Sequence, residues 1–128
     1  MQMMLFIALG GAVGAISRYS LTLWLAPLFK PGIPWATFII NVIGSFLIGV
    51  IYILISEKGI LPVSARPLLI TGFLGALTTY SSFALESVAL FERELPLQAL
   101  LYMMSSVFCT VIAAALGIWL MRLIFNSL

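Results

Sequence analysis

Four uninterrupted apolar runs, each long enough to cross a bilayer as a helix, constrain this chain more than any other feature. A helix needs about 20 apolar residues to span the hydrocarbon. The runs cover roughly residues 4–26, 35–55, 68–91 and 97–125. Polar, turn-forming stretches separate them: Lys30-Pro31-Gly32-Ile33-Pro34, then Ser56-Glu57-Lys58-Gly59 with a Pro62-to-Pro67 connector carrying Arg66, then Glu92-Arg93-Glu94-Leu95-Pro96. The runs are continuous instead of alternating, which predicts helices and not barrel strands. Trp24, Trp35 and Trp119 fall near span ends, where interfacial aromatics belong. Only 8% of the 128 residues are charged, against about 25% in a soluble domain. That is too little charge to cover a water-facing surface. The N-terminal Met1-Gln2-Met3-Met4 has no basic region, and the run it opens is too long for a cleaved signal, so it reads as the start of the first span. The expectation is an all-α membrane protein, one four-span domain over residues 1–128.

Charge says little about partners and much about orientation. A net charge of +2 without a basic stripe excludes a nucleic-acid partner. Cys109 is the single cysteine and sits inside an apolar run, so no intrachain disulfide is possible. There is no histidine, no carboxylate pair within the spans and no nucleophile–base set, which argues against an enzyme. With four spans, the N-terminus, second loop and C-terminus share one side and carry Lys58, Arg66 and Arg122; the other side carries Lys30 and Arg93, with Arg18 inside the first span near that end. So even a distribution gives the positive-inside rule no side to prefer. A chain without bias can insert both ways, and two opposed copies can pair about a two-fold axis in the membrane plane. Gly10 with Gly14, and Ser45 with Gly49, offer close-packing faces that suit internal packing and dimerisation equally.

Polar residues inside the spans are spaced, not scattered. Thr37, Asn41 and Ser45 recur every four residues in the second span; Tyr102, Ser106 and Thr110 do so in the fourth. Residues four apart share a helix face. The third span adds Thr71, Thr78, Thr79, Tyr80, Ser81, Ser82, Glu86 and Ser87. A single hydroxyl in a span is most often bonded within or between helices. Two aligned stripes and a cluster on a third helix point instead to a polar pathway. Gly72, Gly75 and the hydroxyls that follow suit a helix broken at mid-span, whose freed backbone groups bind ions. They equally suit a continuous helix with glycines for packing, and composition leaves both open. The stripes are rich in hydrogen-bond donors, Glu86 is the only carboxylate well inside a span, and Arg18 is the only cation there. A cation path usually shows carboxylate rings, so an anion is weakly favoured.

Gly72-Phe73-Leu74-Gly75 followed by Leu77-Thr78-Thr79-Tyr80-Ser81-Ser82-Phe83 resembles the signature of the Fluc (CrcB) family of fluoride channels, as do Gly11-Ala12-Val13-Gly14-Ala15 with Arg18-Tyr19 and Asn41-Val42-Ile43-Gly44-Ser45-Phe46. The resemblance covers the whole chain. It implies a dual-topology, antiparallel homodimer with two pores in the bacterial inner membrane, passing fluoride passively out of the cytoplasm. It implies pore aromatics at Tyr80 and Phe83, a pore amide at Asn41, and pore-lining hydroxyls at Ser81 and Ser82. It further implies a polar track of Tyr102, Ser106 and Thr110, a pore-side carboxylate at Glu86 and a vestibule cation at Arg18. The carbonyls of Gly75 and Thr78 match those that hold a structural sodium between the two copies. Tyr80 departs from the family, which usually has phenylalanine there; Ser82 replaces a threonine.

Fluoride is strongly hydrated, and the idealised cost of drying an ion of carboxylate size is on the order of 20 kcal/mol. A favourable aromatic geometry returns only about 0.5–1.5 kcal/mol, and a hydrogen bond to a charged group about 1.5–3 kcal/mol. Ring edges alone cannot hold a dry fluoride, so several donors must act together. Two rival readings differ in class. A small multidrug-type transporter of this size needs a carboxylate in its first span, where this chain has Arg18 and no acid. A non-transporting assembly protein would use the stripes only as helix glue.

Overall fold

The computed structural model describes residues 1–126, and among them every regular element is helical. Lipid offers the backbone no hydrogen-bond partner, so each apolar run satisfies its own N–H and C=O groups by winding into a helix. Helix α1 spans Gln2–Leu25 and continues through a 3-10 turn, Ala26–Leu28. Helix α2 spans Trp35–Ser56, entered from Pro34. The third run is not one helix. Its first half, α3, is a π-helical stretch, Pro67–Leu74, closed by one α turn, Gly75–Leu77. Thr78 and Thr79 are extended, and α4 then runs Tyr80–Glu92. Helix α5 spans Pro96–Asn126. The four apolar units that can cross a membrane are residues 2–28, 35–56, 63–92 and 96–126. The third begins earlier than its hydropathy suggests, because a 3-10 turn at Val63–Ala65 leads into it.

Small residues decide how closely the helices approach. Helix α2 packs along α5, and α1 along α3. A side chain at Gly10 or Gly14 would run into the backbone of Leu68 or Phe73 on α3; one at Gly49 would meet the Ala114 carbonyl, and one at Gly117 the Phe46 carbonyl. Gly10, Gly14 and Gly49 are therefore internal packing positions, which settles a choice the sequence left open. Two apolar clusters lie between the helices. One joins Leu25, Ala36, Ile40, Leu74 and Leu77; the other joins Phe83, Leu90, Ala99 and Tyr102. Elsewhere the chain turns its apolar side chains outward, and only a minority of the residues in each span is buried. That outer surface suits hydrocarbon or another protein chain, not water.

Turn chemistry closes the ends. The Leu95 amide donates to the Leu90 carbonyl at 3.1 Å and the Glu94 amide to the Phe91 carbonyl at 3.0 Å, with Glu94 at φ 58°. This is the left-handed helix terminus normally given to glycine. At the opposite end Arg122 Nε donates to both Glu57 oxygens, at 3.2 and 3.1 Å, tying the end of α2 to α5.

Candidate functional site

The break between α3 and α4 is built by tertiary hydrogen bonds. Asn41, on α2, acts as a substitute peptide: its Nδ2 donates to the Thr79 carbonyl at 3.1 Å, and its Oδ1 accepts from the Thr79 amide at 2.8 Å. Thr79 Oγ1 in turn accepts from the Ser82 amide at 3.1 Å, capping α4 in the usual N-terminal manner. Both amides would have bonded four residues back in an unbroken helix, Thr79 to Gly75 and Ser82 to Thr78. The glycines, for which the sequence left breaking and packing equally open, do not make the break. Gly75 is an ordinary right-handed helical residue, and Gly72 lies against α1, where a side chain would meet the Ile7 carbonyl. Gly44 is the glycine that matters for placing the break, since a side chain there would overlap the Thr78 methyl.

A cavity of about 290 Å³ opens beside the break. It brings the three polar groups of the sequence together: Asn41 and Ser45 from α2, Gly75, Thr78, Tyr80 and Phe83 around the break, and Ser106 and Thr110 from α5. Tyr80 is 79% exposed on the rim, whereas Phe83 is 8% exposed in the wall. Three rings form a row inward, with Tyr80 to Phe83 and Phe83 to Tyr102 each 5.4 Å between centroids. Ser81 and Ser82 gather around Thr79 Oγ1 at 3.3 and 3.0 Å. Thr71 is exposed on α3 and takes no part.

A second cavity of about 280 Å³ lies at the first-loop end, lined by Thr22, Lys30, Gly32, Thr37 and Glu86 among others. Glu86 links three helices across its inner end. Thr37 Oγ1 donates to Glu86 Oε1 at 2.7 Å, and the Tyr102 hydroxyl donates to Oε2 at 2.8 Å. Thr37 and Asn41 are one helical turn apart, about 6 Å along α2. Phe83, on the lining of the first cavity, packs against Tyr102, whose hydroxyl reaches Glu86 on the lining of the second. The link Thr37–Glu86–Tyr102 was visible in the sequence only as three residues on three separate spans. Arg18 is half-buried on α1 and lines neither cavity; its carbonyl accepts from Thr22 Oγ1 at 2.8 Å.

The hydroxyls of the α5 stripe are not equivalent. Tyr102 donates to Glu86, and Thr110 Oγ1 donates to the Ser106 carbonyl at 2.7 Å, back along its own helix. Ser106 Oγ is buried and has no hydrogen-bond partner among the described residues. A buried hydroxyl without a hydrogen bond is costly to keep, so Ser106, on the cavity lining, is the donor position least explained by structure alone.

Residues 5–118 match the family model for the CrcB-like protein, Camphor Resistance (CrcB). The chain is 41% identical over 121 residues to a protein of Hahella chejuensis named fluoride-specific ion channel FluC, which covers 94% of this chain and 95% of that relative. It is 44% identical over 115 residues to the protein of the same name from Acidithiobacillus ferrooxidans, covering 90% and 92%. With the protein of that name from Magnetococcus marinus it shares 42% over 123 residues, covering 93% and 97%. A family match across nearly all of the chain, on a structure whose polar stripes converge on a broken third span, places this protein in the CrcB family.

Proposed function

We propose that this chain is a fluoride-selective ion channel, and not an enzyme, through which fluoride leaves the cytoplasm passively. The observation that carries the reading is Ser106: a buried, unpartnered hydroxyl on the cavity that Asn41 and Phe83 also line. The relatives' shared name, fluoride-specific ion channel, supports the choice of ion. In the proposed path an anion enters the cavity beside the break and exchanges water for the Ser106 hydroxyl and the second N–H of Asn41, whose first is held by Thr79. It then passes the Phe83–Tyr102 ring pair, whose positive edges favour an anion. It leaves by way of Thr37 and the first-loop cavity. Each contact contributes a few kcal/mol at most, so none traps the ion, and conduction requires sites weak enough to leave. Tyr80, Ser81, Ser82, Glu86 and Thr110 complete the proposed lining, and Arg18, outside both cavities on α1, would act as a vestibule cation at a distance from them.

The finer assembly belongs to the same proposal: two copies in opposite orientation, two antiparallel pores, and residence in the bacterial inner membrane. The exposure of Gly75 and Tyr80 on the rim of the cavity supports a second copy covering it. A structural sodium between the copies would be held by the carbonyls of Gly75 and Thr78. The residues fit, because the amides that would bond those carbonyls in a helix are turned to Asn41 and to Thr79 Oγ1. Its charge would supply a fixed positive point at the break. A multidrug-type transporter fits less well, since Glu86, the one mid-span carboxylate, lies in the third span with both oxygens accepting hydrogen bonds.

The test is efflux from liposomes holding purified protein and loaded with fluoride or chloride. Fluoride should leave down its gradient with no imposed proton gradient, while chloride stays. Equal chloride flux, or strict dependence on a proton gradient, overturns the reading.

A further inference from the structure

The first-loop cavity poses an electrostatic problem. Glu86 stands at its inner end, so an anion arriving there meets a carboxylate. Thr37 and Tyr102 each donate a hydrogen bond to it, which disperses its charge without cancelling it. Lys30 is the one lining residue of opposite charge. Among the described residues its ammonium makes neither an ion pair nor a hydrogen bond; the one ion pair joins Arg122 to Glu57 at the far ends of α2 and α5. The loop that carries Lys30 is stiff. Pro31 follows it directly and Pro34 ends the turn, so two φ angles are fixed by rings. Between them Gly32 takes φ +145°, which side chains rarely adopt, and an added Cβ would sit 3.3 Å from Gln98 Oε1 on α5. The stiff backbone fixes the point at this opening from which the exposed Lys30 side chain extends.

We infer that Lys30 is an anion-concentrating residue: it holds small anions at the first-loop mouth against the repulsion of Glu86, and so sets the concentration at which the channel fills without acting on passage itself. The inference rests on the fluoride-channel reading. A charge lining a cleft raises the local concentration of its counter-ion, and salt abolishes the effect as the Debye length falls from about 30 Å at 0.01 M to about 3 Å at 1 M.

The experiment measures fluoride efflux against fluoride concentration for the starting chain and for Lys30→Gln, Lys30→Glu and Lys30→Arg, at low ionic strength and again with a concentrated impermeant salt on both sides. At low ionic strength Lys30→Gln should raise the half-saturating fluoride concentration several-fold and leave the maximal rate unchanged. Lys30→Glu should raise it further, and Lys30→Arg should match the starting chain. At high salt all four should coincide. Unchanged half-saturation in Lys30→Gln at low ionic strength overturns the inference and leaves the channel reading standing. So does a loss that persists at high salt or that Lys30→Arg shares, since either would mean the side chain packs and does not steer. A starting chain that passes no fluoride overturns the channel reading and this inference with it.

Discussion

At the scale of single residues, hydroxyls that share a stripe differ in what their protons already do. Among the described residues Ser106 Oγ has no partner, whereas Thr110 Oγ1 is bonded to its own helix. Ser106→Ala should therefore slow fluoride efflux by about tenfold, the equivalent of one hydrogen bond to a charged group. Thr110→Val should do much less, and equal losses in the two would make the stripe a packing feature. The rings can be separated in the same way. Tyr80 adds a hydroxyl on the rim, where a donor deepens a binding site that the ion must leave. Tyr80→Phe should pass fluoride a few-fold faster with the fold intact, and Phe83→Ile should pass it more slowly. If Tyr80→Phe gains nothing and Phe83→Ile loses nothing, both rings merely pack. The two stripes were legible from a spacing of four, with Asn41 on one and Ser106 on the other, whereas Phe83 stood out only through the family resemblance. Whether each hydroxyl was free was not legible, because a Ser or Thr can turn its proton to its own i−4 carbonyl by one rotation about χ1.

At the scale of elements, four spans were legible because hydropathy alone sets them, and the third was legible as the odd one. The cause of its break was not. Gly72 and Gly75 marked the place without making the break: one packs against α1, as one of the two readings left open had it, and the other stays helical. The break is fixed by Asn41, 38 residues earlier in the chain, and no local pattern carries that pairing. Asn41→Ala would leave the Thr79 amide and carbonyl without their partners, at about 1–3 kcal/mol for each group left unsatisfied. Thermal unfolding in detergent should show that loss. Ser45 lines the same cavity without bonding to Thr79, so Ser45→Ala should unfold like the starting chain. A normal melting temperature for Asn41→Ala would mean the break stands without it. The α4–α5 turn gives a second check. Glu94 takes a left-handed conformation that costs an L-residue about 1–2 kcal/mol, so Glu94→Gly should unfold no earlier and Glu94→Val distinctly earlier. The Glu57–Arg122 pair is exposed and adds little at neutral pH. The hydrogen bond from Arg122 holds the Glu57 carboxyl below its ordinary range, so whatever the pair contributes is present above about pH 4.5 and is lost as the pH falls through the lowered value.

At the scale of the whole molecule, the proposed antiparallel pair makes the strongest demand, because it requires one sequence to insert in both orientations. Lys58, Arg66 and Arg122 on one side face Lys30 and Arg93 on the other, with Arg18 within α1 near the latter side. Orientation follows the Lys and Arg bias and not net charge, so the acidic partner of Arg122 does not alter the count. A chain this evenly balanced should be tipped either way by a few added lysines. Ser56→Lys with Ser64→Lys adds two to the second-loop side, and Glu92→Lys with Glu94→Lys adds two to the other; all four positions are exposed, so the helices should be undisturbed. A C-terminal tag should report both orientations for the starting chain and a single, opposite one for each double variant. Each double variant expressed alone then lacks an inverted partner and should pass little fluoride. Expressed together, the two supply each other's missing orientation, and flux should return. Rescue on co-expression is the decisive result, because no simple folding defect in either variant is cured by the other. If the starting chain shows one orientation, or if each biased variant conducts fully alone, the antiparallel pair is wrong. The Gly75 and Thr78 carbonyls would then have no second set to face, and the sodium proposed between the copies would go with it.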